Sequence, residues 1–318
     1  MFQKYKYVLA VYEEGCFTKA ADKLFISQPS LSVAVSNIEK KIGSPLFERC
    51  GRKLKLTEIG HAYITSAQKM QNAEDVFLRQ LEDLNGLHTG KLAIGGSNFL
   101  SSYVLPKLIS KFRSKYPGIE ITLIEANSLN LRELLLNEEV DLVIDNFEDC
   151  SQSIATYPLI DEHILLCVPT EYKVNESLKE FQIHPEKIYT APDHVKTVPA
   201  LDLDNFREIP FVLLKNGNDM HERANNMFKD GQITPKIVFS VDQLNISYAL
   251  AESGLGACFI TDTFFKYGKH MPSTVLYKLK QKKAKRKLHI VYKNGRYCTK
   301  AMQEFIKITQ ETVGGFHN

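Results

Sequence analysis

Between Thr57 and about Leu87 the chain runs without a proline, and Gly60 is its only glycine before Gly86. Such a stretch folds as one long helix, because nothing in it interrupts the i→i−4 ladder. Stepping by heptads, Ile59, Tyr63, Met70, Ala73, Phe77 and Leu84 fall on one seam, broken by Ser66 and Gln80. A lone helix of that length needs a partner for its stripe, most simply its twin in a second copy, with intramolecular core as the alternative. Asn85-Gly86 and Thr89-Gly90 then supply a hinge. The helix divides the 318 residues into a leading segment, 1–58, the helix itself, 59–88, and a trailing segment, 89–318.

The leading segment reads as three short helices and a hairpin. Phe2, Tyr5, Leu9 and Tyr12 recur at helical spacing, and Gly15 stops that helix. A second helix spans Phe17 to Leu24, with Ala20-Ala21 as a small, closely packable pair. Ser27-Gln28-Pro29 is a start signal: a capping hydroxyl, then a proline in the first turn, where its missing N–H is harmless. The third helix runs to about Ile42 and ends at Gly43. Leu31, Val35 and Ile38 face inward, leaving Ser30, Val33, Ser36 and Asn37 outside. Gly51 then turns a hairpin within Leu46 to Leu56, whose tip is rich in cations. This order predicts a winged helix-turn-helix. Its third helix is slim enough for the major groove of double-stranded DNA, and the cationic tip suits phosphates.

Charge supports that reading. Residues 1–60 hold ten lysines and arginines against six acids, whereas the remainder holds 30 against 31. A polyanionic partner is expected for the leading segment alone.

Beyond Gly90 strands and helices alternate. Lys91–Gly95, Ile119–Glu125 and Asp141–Asp145 read as strands, with helices over Ser101–Tyr116 and Leu129–Asn137 between them. Two successive βαβ crossovers predict a parallel sheet with helices on its faces. A second set follows, with strands at His163–Pro169, Phe211–Leu214, Lys236–Val241 and Ala257–Ile260 and helices near 219–229 and 243–252. The strand Lys287–Tyr292 and helix Thr299–Glu311 return to the first set. Two α/β lobes with a cleft between them are expected, about 89–162 with 266–318, and about 163–265. Seven cations between Lys278 and Lys287 read as a solvated hairpin face. Asp141 and Asp145 read as strand ends.

Other classes are disfavoured. No apolar run approaches ~18 residues and the first residues lack a signal-peptide core, so a cytoplasmic protein with no membrane partner is expected. Six cysteines and nine histidines show neither CxxC nor zinc spacing, so no metal is expected. GxSxG, P-loop and GxGxxG motifs are absent, so no enzyme and no cofactor are expected. A thiol-based sensor using Cys150 and Cys167 is an alternative. A two-lobed enzyme or solute-binding module with an accessory N-terminal part is a remoter one.

Phe17-Thr18-Lys19-Ala20-Ala21-Asp22-Lys23-Leu24, Ser27-Gln28-Pro29-Ser30-Leu31-Ser32, Ile38-Glu39, Gly43, Leu46-Phe47-Glu48-Arg49 and Leu56-Thr57-Glu58-Ile59-Gly60 stand in order at the spacing of the LysR-type transcriptional regulators. Over its whole length the chain resembles that family. The resemblance implies an all-α winged helix-turn-helix, a long linker helix, and a two-lobed α/β effector domain like type II periplasmic binding proteins. It implies that Thr18 touches backbone phosphate and that Gln28, Pro29, Ser30, Ser32, Val33 and Ser36 face bases. Arg49, Arg52 and Lys53 would work on the wing. Ser27 reads as a cap rather than a base reader. Val33 departs from the polar or cationic residue usual at its position and suits a thymine methyl. Cys16 stands where a capping serine is frequent.

The resemblance further implies a homodimer or homotetramer, contact with RNA polymerase, and a small effector between the lobes. For that effector, Gly95-Gly96-Ser97-Asn98 forms a strand-to-helix turn whose free N–H groups suit an anion. Ser97, Asn98 and Ser101 are the first candidates, with Asn127 and Ser128 at the next helix and Asn216 and Gly217 from the second lobe.

Overall fold

The computed structural model describes residues 4–50, 53–84, 89–147, 152–191, 193–268 and 274–314. They fall into two compact units, Met1–Leu81 and Glu82–Asn318.

In the first unit, α1 (Tyr5–Glu14), α2 (Phe17–Lys23) and α3 (Gln28–Ile42) enclose Val8, Val11, Ala20, Leu31 and Val35. Gly15 and Gly43 adopt left-handed caps, at φ 60° and 84°, as the chain leaves α1 and α3. The strands β1 (Phe47–Cys50) and β2 (Lys53–Leu56) pair antiparallel, with Phe47 opposite Leu56. Helix α4 follows, Glu58–Leu84.

Two contacts lock the hairpin to the helices. The carboxylate of Glu39, near the end of α3, accepts the Leu46 N–H at 2.7 Å. The first turn of α4 presses on the same residue: a Cβ at Gly60 would lie 2.1 Å from the Leu46 carbonyl oxygen. Only glycine fits there, which accounts for Gly60 in the motif. Tyr63, Ile64 and Ala67 of α4 are buried in the helical core, and Tyr5 of α1 donates to Glu74 at 2.6 Å. The predicted seam is therefore divided. Tyr63 is intramolecular core, whereas Ile59, Met70 and Phe77 are exposed, beside exposed Leu78 and Leu81.

The second unit is one mixed sheet. Its strands are β3 (Gly90–Gly96), β4 (Ile119–Glu125), β5 (Leu142–Asp145), β6 (Ile154–Pro169), β7 (Gln182–Ile183), β8 (Pro210–Leu214), β9 (Lys236–Val241), β10 (Ala257–Thr261), β11 (Thr274–Lys278) and β12 (Lys285–Lys293). The order is β4-β3-β5-β12-β6-β10-β8-β9, with β11 pairing β6 and β7. The predicted crossovers are present, since β3 pairs parallel with both β4 and β5.

Strand β6 is the spine. From Ile154 to His163 it pairs with β12, and from Ile164 to Pro169 with β10 and β11, so it passes from one lobe into the other. The sequence predicts only its second half, His163–Pro169; in the first half Pro158 faces His289 and Ile160 faces Leu288, so Leu159 is the extra residue of a bulge in β6 beside the proline, which lacks an N–H. A second correction concerns the return crossing. Strand β11 still belongs to the second lobe, so the chain crosses back near Lys285 rather than at 266. Consequently Lys278–Lys287 is no hairpin: β11 and β12 pair with different halves of β6.

We expect Gly60→Ala to destabilise the first unit by about 1–3 kcal/mol, because the overlap is with backbone that cannot swing aside. A lowered midpoint in chemical denaturation checks this, and an unchanged one contradicts it.

Candidate functional site

Two surfaces stand out, one in each unit. In the first, the Ser27 side chain accepts the Ser30 N–H at 3.3 Å and so caps α3, with Pro29 inside the first turn. This fixes the start of α3, and the chain before it leaves Phe25 in a left-handed conformation at φ 54° and 95% exposed. Nothing local in the sequence marked Phe25. Gln28, Pro29, Ser30 and Val33 are exposed on α3, Ser32 and Ser36 partly so, and Gln28 donates to the Ser32 hydroxyl at 2.8 Å. Thr18 is exposed on α2. Lys40, Lys41 and Lys55 are exposed on the same unit. Arg49 and Lys53 lie on β1 and β2, whereas Arg52, with Gly51, lies outside the described residues. Cys16 precedes α2, and the Lys19 and then the Thr18 backbone N–H hold its half-buried thiol below the ordinary cysteine range.

In the second unit a cavity of about 90 Å³ lies between the lobes. Ser97, Asn98, Asn127 and Ser128 line it, while Asn216 and Gly217 line its adjoining mouth of about 290 Å³. Ser101 does not reach the cavity, because its hydroxyl turns back onto the Gly96 carbonyl at 3.0 Å. Four helices begin at the cavity. Asn127, Asn218 and Gln243 precede the helices Ser128–Leu136, Asp219–Asp230 and Leu244–Glu252, and Ser97 precedes the fourth. That fourth helix is wound one residue wider at Leu100–Val104, where the Leu105 N–H reaches Leu100 O, immediately before Pro106. Across the mouth the Leu129 N–H points to the Gly217 carbonyl at 3.4 Å.

The side chains that set the cavity's charge were not singled out as a site from the sequence. Among the described residues, Glu125, Asp145, Glu162, Asp219 and Asp242 line it against one cation, Arg286. Arg286 donates to Glu162, and to Asp219 at 2.7 Å. Asp219 also accepts from Arg223 at 2.6 Å, and Glu162 from Thr263. Burial raises Asp219, but the two guanidiniums outweigh it and hold the carboxyl below its ordinary range. Burial would lower Arg286, but Glu162 and Asp219 hold it above the arginine range. Asp145 differs. It accepts from the Ser128 hydroxyl at 3.0 Å and from the Asn146 N–H at 2.6 Å, yet burial prevails and pushes it up to about 6. Its sequence neighbour in the motif, Asp141, is structural, accepting the Ala93 N–H at 2.7 Å and pairing with Arg296. The expectation of an anionic effector considered helix termini alone; the termini are present, but the protein's own carboxylates already stand before them.

Placement disfavours thiol chemistry at Cys167 and Cys258. Cys167 and Cys258 face each other across β6 and β10, both fully buried. Their mutual hydrogen bond, then burial, raises the Cys258 thiol well above its ordinary value, and a protonated thiol is a poor nucleophile. Cys150 lies outside the described residues.

Residues 2–61 match the model of the bacterial regulatory helix-turn-helix protein, lysR family, and residues 85–314 match the LysR substrate binding domain. The chain belongs to the LysR family. It is a DNA-binding transcriptional regulator with an effector-binding domain. It is 27% identical to a probable RuBisCO transcriptional regulator of Synechocystis sp., over 94% of this chain and 82% of the relative. The uncharacterised HTH-type transcriptional regulator YcgK of Bacillus subtilis is 26% identical, over 97% and 93%. In fold the chain is similar to full-length CbnR crystallised with its target DNA, at a TM-score of 0.63 and 18% identity over 98% and 99% of the two chains. Among the described residues, no helix is long and apolar enough to cross a membrane.

Two outcomes are expected. Arg286→Ala strands buried carboxylates and should cost about 3–5 kcal/mol in chemical denaturation. Asp145 binds its proton more tightly in the native state than in the unfolded chain, so acidification through pH 6 relieves a penalty that is full at neutral pH. Asp145→Asn should therefore stabilise the regulator at pH 7.5, and this advantage should shrink by up to about 3 kcal/mol towards pH 4. A pH-independent difference contradicts it.

Proposed function

We propose that this regulator reads an interrupted palindrome in promoter DNA as a homodimer or higher homo-oligomer, and that a small effector held between the lobes biases its arrangement. The observation that carries the DNA assignment is the free face of α3: short hydrogen-bonding side chains at Gln28, Ser30, Ser32 and Ser36, with Val33 61% exposed among them. Gln28 and Ser32 act on base edges, and Val33 lies against a thymine methyl. Pro29 shapes the first turn, Thr18 takes a phosphate, and Arg49, Arg52 and Lys53 supply sequence-independent attraction from the wing. The exposed Met70, Phe77 and Leu81 of α4 support pairing of two copies through this helix, which spaces two half-sites.

Ser97, Asn98, Asn127 and Ser128 hold the effector on the first lobe, and Asn216 and Gly217 close over it from the second. Coupling to DNA needs only that the ligand prefers one arrangement; equal affinity for both would shift nothing. In this reading the chain has no catalytic activity, works in the cytoplasm and contacts RNA polymerase from the promoter.

Alanine at Gln28 or Ser32 should cost about 1–3 kcal/mol on the cognate operator and little on random duplexes. Arg52→Ala should weaken both alike and lower the salt slope by roughly one. Gel shifts with the promoter upstream of this regulator's own reading frame make the comparison. Equal losses on both duplexes for all three variants overturn the division of labour. Phe77→Glu should shift the chain towards monomer in sedimentation; an unchanged mass contradicts pairing through α4.

A further inference from the structure

The inference concerns the chemical class of the effector, and it rests on the assignment of the effector to the cavity between the lobes. The carboxylates there are not equivalent. Glu162 and Asp219 are engaged by Arg286 and Arg223, and Asp242 is met by Lys215 at 2.7 Å. Asp145 and Glu125 form no ion pair among the described residues. Asp145 is 2% exposed, its hydrogen bonds come from a hydroxyl and one backbone N–H, and Arg286, already engaged by Glu162 and Asp219, acts on it without an ion-pair contact. A buried carboxylate in that position is a costly feature unless something complements it part of the time.

A second, independent observation lies beside it. Asn146 is 5% exposed and lines the same cavity, and its Nδ2 amide has no hydrogen-bond partner among the described residues. Buried amide donors are almost always satisfied. Among the described residues two adjacent groups in the cavity are therefore incompletely matched: Asp145 has no cation in contact with it, and Asn146 has no acceptor. It is also poorly equipped for a dicarboxylate or a phosphate, because its one cation among the described residues, Arg286, already donates from Nε to Glu162 and from Nη1 to Asp219 amid five carboxylates. Arg132 lines the mouth rather than the cavity.

We propose that the effector is an amino acid or a close analogue, its ammonium group seated against Asp145 and an oxygen accepting from the Asn146 amide. Glu125 at the exposed rim adds long-range attraction for the cation. The helix termini at Ser97 and Asn127 suit the carboxylate of the same molecule. Both halves of a zwitterion are thus provided for, and the ammonium decides the class.

The full chain is tested by thermal shift with the twenty common amino acids and, in parallel, with their 2-oxo-acid counterparts, each at millimolar concentration. At least one amino acid should raise the melting temperature by several degrees, and its 2-oxo acid should not. Calorimetric affinity for that amino acid should fall at least tenfold in Asp145→Asn and in Asn146→Ala. It should fall a few-fold in Glu125→Gln, a rim change that leaves the fold intact. A 2-oxo acid that stabilises as strongly as its amino acid overturns the ammonium assignment, and so does the absence of any shift with all twenty amino acids. If such a 2-oxo acid loses its effect in Ser128→Ala, the cavity assignment stands and only the charge class fails. Amino-acid binding that survives all three substitutions overturns the cavity assignment itself.

Discussion

The effector-binding domain is organised around the Arg286 guanidinium. It stands opposite Glu162 in the register of β12 on β6, at the place where these strands pass between the lobes. Asp219 reaches it from the start of a second-lobe helix, and Asp145 acts on it from the end of a first-lobe strand. Burying such a charge is tolerable only with partners in place, so the cluster specifies one relation between four elements. The cavity is a by-product of that arrangement. Its walls are the helix starts that the cluster draws together, and its polarity is that of the carboxylates gathered to neutralise a single arginine.

The DNA-binding unit is held by a smaller device. Glu39 ties the end of α3 to the root of the wing through the Leu46 N–H, and Gly60 lets α4 close on the carbonyl of the same residue. One residue thus receives α3, the wing and α4. That junction and the Ser27 cap fix the segment, leaving Gln28, Ser30 and Val33 exposed on α3.

Much of this was legible in the sequence where the signals are local. Ser27, Pro29, Gly15 and Gly43 announce helix limits by their own stereochemistry, and the βαβ alternation announces a parallel sheet. Four of the seven candidate effector residues line the cavity for the same reason: strand-to-helix turns converge at one edge of such a sheet. Arg286 was hidden because its surroundings in the chain are lysines, and its partners Glu162 and Asp219 are 124 and 67 positions away. No periodicity distinguishes a buried cation within a basic run. Asp145 ends β5 as the sequence predicts, but its place in the cavity was not legible, since a strand-terminal aspartate looks alike whether water or a closed cleft lies beyond it. The first half of β6 is not legible as strand, because the bulge at Leu159 that carries it past Pro158 exists only in its pairing with β12.

That bulge gives the two-lobed domain an unusual kind of joint. Closure in such proteins is commonly imagined as bending at a pair of flexible connectors, but here the first connector is an unbroken β6 whose neighbour slips register beside Pro158. Any rocking must be absorbed as a change of pleat and twist over a few rungs of ladder. Stiffness of that kind is tunable in small steps. A replacement at Leu159 or His289 could reset the resting balance between open and shut forms, and with it the threshold of response, while every ligand-touching and base-reading side chain kept its place.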